Sequence, residues 1–103
     1  MKTIYKYELT PIQEVQRIPL PKGSQILSVM NQKGSVVVYA AVDPGEKKHE
    51  DHIFYTIGTG QSAEKVIGAN FIGTVQVFGN AIVLHIFYKK AVSIKKVYKR
   101  EEV

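Results

Sequence analysis

The chain of 103 residues contains no cysteine, so disulfides, thiolate metal sites and a catalytic thiol are all excluded. Its longest apolar run, Val36 to Val42, is far too short to cross a bilayer as a helix. The opening stretch, MKTIYKYELT, interleaves charge with apolar side chains and lacks the continuous apolar run of a secretory signal. Neither an internal repeat nor a low-complexity segment is evident. No Ser–His–Asp order, paired carboxylates or nucleophile elbow points to catalysis. These absences lead to the expectation of a soluble, cytoplasmic, non-enzymatic protein with no cofactor and no metal.

What is present is an ordinary globular composition, 45% hydrophobic and 22% charged. The length fits one domain around one core. The net charge of +5 is unevenly placed. Residues 1–88 hold eight Lys/Arg and seven Asp/Glu, a balance of +1, whereas residues 89–103 hold six and two, a balance of +4. The expected organisation is therefore a β domain over 1–88 and a basic extension over 89–103. In that extension Lys89, Lys90, Lys95, Lys96, Lys99 and Arg100 suit contact with nucleic acid or an acidic partner. The same lysines also suit an edge strand guarded against aggregation, and Ala91–Val97 is β-branched enough to add one.

Period-two alternation dominates the chain. Lys2–Leu9 alternates cleanly, with Thr3, Tyr5, Tyr7 and Leu9 on one face and Lys2, Ile4, Lys6 and Glu8 on the other. A weaker strand covers Ile12–Ile18, and Pro19 and Pro21 restrict IPLPKG to an edge or an extended connector. Gln25–Asp43 predicts a hairpin turning at Asn31-Gln32-Lys33-Gly34 as a type I turn with a left-handed glycine. In that register Leu27, Val29, Val37 and Tyr39 share one face, and Ile26, Met30, Val36, Val38 and Ala40 the other. A two-residue loop at Lys33-Gly34 would move the register by one. Glu46–His52 reads as a mixed-charge exposed loop before a short strand at Ile53–Ile57. Gln61–Ala69 is the one candidate helix, short and without a capping-box acid, so that one turn of helix or a loop is expected.

The chain's organising element is Asn70–Tyr88, a hairpin about Gly79-Asn80, expected as a type II′ turn. The turn aligns Val77 with Ile82, Val75 with Leu84 and Thr74 with His85. Phe71, Val75, Val77, Ile82, Leu84 and Ile86 then form one apolar face. Phe78, Val83, Phe87 and Ile72 surround Thr74, Gln76 and His85 on the other. A hairpin apolar on both sides must be covered on both sides. Together the segments predict an all-β fold, a single small antiparallel sandwich or barrel of about seven strands with at most one short helix.

Several residues invite a chemical reading. His49 and His52, beside Glu50 and Asp51, have ligand chemistry, but a charged loop offers no rigid frame for a metal. Gly58-Thr59-Gly60 resembles an anion-cradling loop without the lysine or third glycine of the nucleotide fingerprints; with Gln61 and Ser62 it still suits a pocket for phosphate or ribose. Tyr5 and Tyr7 with Lys6 mix the aromatic and basic chemistry used to stack bases, although alternation sets the tyrosines opposite the lysine. His85 facing Thr74 beside Gln76 is the polar placement that stands out, either a satisfied core histidine or the wall of a pocket or subunit seam.

The series MKTIYKYEL at 1–9, Pro21-Lys22-Gly23 with Ile26-Leu27-Ser28-Val29, Val42-Asp43-Pro44, Gly58-Thr59-Gly60, Ile72-Gly73-Thr74-Val75-Gln76 and Val83-Leu84-His85-Ile86-Phe87 resembles a widespread family of small bacteriophage and prophage proteins. The resemblance covers residues 1–87 and departs afterwards, since those relatives lack the lysine-rich extension. Gln61 stands where that family often has histidine. The resemblance implies a phage accessory protein in the host bacterial cytoplasm and transfers no catalytic residue. By analogy with phage sponges of similar size, it implies a homo-oligomer that sequesters an anionic small molecule such as a nucleotide immune signal. The ligand residues expected for it are Thr74, Gln76, His85, Gly58, Thr59, Gly60, Gln61, Tyr5, Tyr7 and Lys6.

Overall fold

The alternating segments assemble as β1 Thr3–Leu9, β2 Val15–Pro21, β3 Gln25–Gln32, β4 Ser35–Val42, β5 His49–Gly58, β6 Asn70–Val77 and β7 Ile82–Lys90, with one 3₁₀ turn at Glu64–Val66. The structure is a computed structural model and describes residues 1–91. Among these the seven strands form two antiparallel sheets, ordered β1-β4-β3 and β2-β5-β7-β6. The all-β sandwich expected from the alternation is what the chain adopts. Residues 92–97 of the expected Ala91–Val97 strand, with Lys95 and Lys96, and likewise Lys99 and Arg100, lie outside the described residues.

The two sheets close on one core. Leu9, Val36 and Val38 from the first meet Leu20, Phe54, Val75, Val77, Leu84 and Ile86 from the second. In β1 the alternation places Tyr5, Tyr7 and Leu9 opposite Ala40, Val38 and Val36, on the inward side. Along one side the edge strands β3 and β6 approach without forming a ladder. The Asn31 amide donates to the Gln76 carbonyl at 2.6 Å. Gly73 makes the approach possible, because a Cβ there would stand 3.0 Å from Val29 Cγ1.

The 70–88 hairpin has the expected pairs Val77–Ile82, Val75–Leu84 and Thr74–His85. Its turn is closed by Ala81 N–H donating to the Phe78 carbonyl at 3.1 Å. Gly79 and Asn80 take φ of 65° and 71°, so the turn has the type I′ signature instead of type II′. A register shift between Phe71 and Gly73 corrects the predicted faces. The bulge turns Ile72 toward the core and sends Phe71 outward, where it meets Phe87 edge to face at 5.2 Å.

The first hairpin takes the two-residue loop. Gln32 pairs with Ser35, and Lys33 and Gly34 have φ of 52° and 90°. Asn31 does not begin a type I turn; its Oδ1 accepts the Gly34 N–H at 2.8 Å. Val29 therefore faces Val38, not Val37, until a bulge at Leu27 returns Ile26 to Ala40.

Two further expectations change. The run at 46–52 is not an exposed loop throughout, because β5 begins at His49. Its charges are matched to neighbouring strands, Arg17 to Asp51 at 2.9 Å and Lys90 to Glu50 at 3.7 Å, and His52 is 0% exposed. The domain boundary after residue 88 falls inside β7, which continues through Lys89 and Lys90. No helix among the described residues is long and apolar enough to cross a membrane.

Candidate functional site

The outer face of the second sheet collects most of the sequence-predicted site. His85 lies on β7 between Thr74 of β6 and Ile57 of β5. Thr74 Oγ1 is 3.0 Å from its Nδ1, and Thr59 Oγ1 is 2.8 Å from its Nε2. A neutral imidazole donates from one nitrogen and accepts at the other, so one threonine hydroxyl receives a hydrogen bond and the other gives one. The ring thus latches the 58–61 loop onto the sheet.

That loop is held internally as well. Gln61 Oε1 accepts the Gly58 N–H at 2.6 Å, and Gln61 N–H donates to the Gly58 carbonyl at 3.0 Å. The Thr59 N–H points to the Val83 carbonyl at 3.4 Å. With two N–H groups of Gly58-Thr59-Gly60 already engaged, the loop does not present the array of bare amides that an anion cradle needs. It instead forms a wall. Gly58, Thr59 and Gln61 line a cleft of about 370 Å³ with Ala81, Ile82 and Val83. On the other side, Thr74 and Gln76 line an open groove of about 460 Å³ with Val29, Met30, Asn31 and Asn80.

The alternation along β7 adds residues not foreseen in this role. His85, Phe87 and Lys89 share the outward side, so at about 3.3 Å per residue they span about 13 Å. Phe71, 58% exposed, lies edge-on to Phe87. The Lys89 ammonium sits 5.5 Å from the centre of the Tyr55 ring. The face therefore carries a cation, an exposed aromatic ring and a hydroxyl–imidazole cluster in succession. Beside it, Val66 and Ala69 cover Tyr55 and Ile57. The alternation of His85, Phe87 and Lys89 was readable in the sequence, but the fall of net charge into the last fifteen residues set Lys89 apart.

Other predicted residues do not join this group. Tyr5, Tyr7 and Lys6 belong to β1 of the opposite sheet. Tyr5 and Tyr7 face inward there, while Lys6 borders a separate cleft with Glu8, Gln32, Lys33 and Ser35. A shared aromatic and basic surface on β1 is excluded by that alternation. His49 and His52 also part company: His49 is exposed, and His52 is enclosed by Phe54 and Tyr88 at ring separations of 6.4 and 6.1 Å. Being three apart on a strand, they project to opposite sides and cannot share a metal.

His52 was missed as a core residue because its neighbours are charged. Its Nδ1 lies 3.3 Å from the Glu50 carbonyl, and its Nε2 has no hydrogen-bond partner. Burial holds its pKa below the ordinary histidine value; the Glu50 carbonyl opposes this, Lys90 adds to it, and the Glu50 and Asp51 carboxylates oppose it.

The profile of one protein family, described as a domain of unknown function (DUF7352), matches residues 1–96. No curated protein and no solved structure matches the chain.

Proposed function

The chain belongs to the DUF7352 family, and from that premise we propose that it is a non-catalytic binding protein for a small anionic ligand carrying a flat ring, of the nucleotide class. The observation that supports the reading is the succession of half-buried Lys89, exposed Phe71 with half-buried Phe87, then half-buried His85 with exposed Thr74 and Thr59 on one outer face. A phosphate meets the lysine, a base stacks on the exposed Phe71 ring, and the hydroxyls and imidazole take the polar edge. Together with the resemblance to phage proteins, this favours sequestration of a nucleotide signal by a homo-oligomer in the host cytoplasm over turnover, since the His85 imidazole beside the Thr59 hydroxyl is held by a second threonine and not by a carboxylate.

Calorimetric titration of the full chain against mononucleotides and cyclic mono- and dinucleotides tests the reading. Binding on the order of micromolar is expected for at least one of them. Phe71→Ala should then weaken it about tenfold, because stacking on one base is worth ~1–3 kcal/mol. Absence of binding to every nucleotide at high micromolar concentration overturns the proposal. A ligand that binds the Phe71→Ala and His85→Ala variants as well as the parent chain overturns the assignment to this face.

A further inference from the structure

Of the four sheet edges, three are closed off. β3 and β6 face each other through the Asn31–Gln76 hydrogen bond and the Val29–Gly73 contact. β2 carries Pro19 and Pro21, which lack the N–H groups an added strand would need. β1 is different. It has neither proline nor glycine, it pairs with β4 without a register break over seven residues, and among the described residues nothing pairs with its other edge. A regular edge of this length, without proline or bulge, is a template for a strand whose own charges complement those of β1.

We propose that the occupant is the same strand of a second copy, added antiparallel about a two-fold axis at Tyr5. The sequence of β1 and its flank is self-complementary in that arrangement. Lys2, exposed and donating to the Gly23 carbonyl at 2.9 Å within its own chain, falls opposite Glu8 of the second copy and Glu8 opposite its Lys2, giving two ion pairs by symmetry when that contact is exchanged. Ile4, 61% exposed, falls opposite the stem of Lys6, and Tyr5, 46% exposed, meets its own counterpart. A shift of the axis to Lys6 would set like charges face to face and leave Ile4 against Glu8. The two tyrosine faces join on the core side and the charged pairs lie on the outer side, as the alternation in β1 requires. The result is a continuous six-stranded sheet across the dimer. This names the surface for the assembly proposed above, but it does not depend on the ligand.

The test is sedimentation equilibrium of the full chain through the micromolar range, with Lys2→Glu, Glu8→Lys, the double charge swap and Ile4→Lys. The expected result is a dimer that either single reversal weakens at least about fivefold, as two opposed like-charge pairs replace two attractive ones. The double swap should restore the parent affinity, and Ile4→Lys should give a monomer. A monomeric parent chain overturns the proposal, as does a dimer unaffected by Ile4→Lys or single reversals that the swap does not rescue. Amide exchange in β1 that is slow in a monomer would show the edge covered by its own chain, and overturns it too. Calorimetry with Ile4→Lys keeps the two proposals apart, because nucleotide binding should survive loss of the dimer.

Discussion

Replacing His52 by leucine should leave the fold intact and remove an acid-sensitive element from it. The imidazole is fully buried, with Nε2 unpartnered and Nδ1 in a long contact of 3.3 Å to the Glu50 carbonyl. An unsatisfied buried polar atom costs ~1–3 kcal/mol, whereas the surviving contact returns at most about 1 kcal/mol. At pH 7.5 the variant should therefore equal or exceed the parent in stability, allowing for a small repacking cost against Phe54 and Tyr88. The difference should widen on acidification. Since burial lowers the folded-state pKa, the unfolded chain takes up a proton first as the pH falls through about 6.5. Parent stability is thus complete above that value and declines below it, until the folded pKa is reached, by up to about 1.4 kcal/mol per pH unit. Leucine has no such loss. Urea unfolding of both proteins at intervals from pH 7.5 to 5.5 measures the difference directly, with the carboxylates common to both. Parallel curves would refute the reasoning, and so would a variant more than about 1 kcal/mol weaker at pH 7.5.

Two other substitutions examine the geometry of the site and of the closed edge. Thr59→Val removes the hydroxyl that meets His85 Nε2 at 2.8 Å. It should cost about 1 kcal/mol and speed amide exchange at Gly58–Gln61 while core exchange stays unchanged; slow exchange in that loop would show that the latch is not what holds it. Gly73→Ala places a Cβ 3.0 Å from Val29 Cγ1, so β3 and β6 must separate or Val29 must move. A loss of about 1–3 kcal/mol in thermal or urea unfolding is expected, and a neutral result would mean that the β3–β6 seam is more open than the Asn31–Gln76 hydrogen bond implies.

The fold was legible where burial differs between faces. β1 shows clean alternation, and the pairs of the 70–88 hairpin from Gly73–Ile86 to Val77–Ile82 follow from the turn alone. The 25–42 hairpin was not settled in this way because both of its faces are apolar. Val36, Val37 and Val38 are all buried, so a slip of one residue costs little in pattern, and Asn31 Oδ1 capping Gly34 decides the register locally. The start of β5 was hidden for the opposite reason. HEDH is polar, yet Arg17 and Lys90 from flanking strands neutralise its acids, a long-range relation invisible in the local sequence. The Thr74–His85 pair could be read from the hairpin register, but the arrival of Thr59 from 26 residues away could not.

The bulge at Ile72 explains why a hairpin apolar on both sides leaves part of itself uncovered. In an unbroken strand Phe71 would join the core with Val75 and Val77; the extra residue exchanges it for Ile72. Its outward ring then needs a cover that the described chain supplies only in part. The segment carrying the Glu64–Val66 turn places Val66 and Ala69 over Tyr55 and Ile57, towards β5, and Phe87 packs at the margin of that cluster. Phe71, on the edge strand beyond, keeps 58% of its surface exposed. A large aromatic side chain left half in water at a bulge, beside a fixed hydroxyl–imidazole group, is poorly explained by stability alone, because returning it to the core would bury more apolar area. Bulges are used to re-aim side chains near binding sites, and re-aiming Phe71 is what gives the outer face the exposed ring on which the proposed ligand would stack.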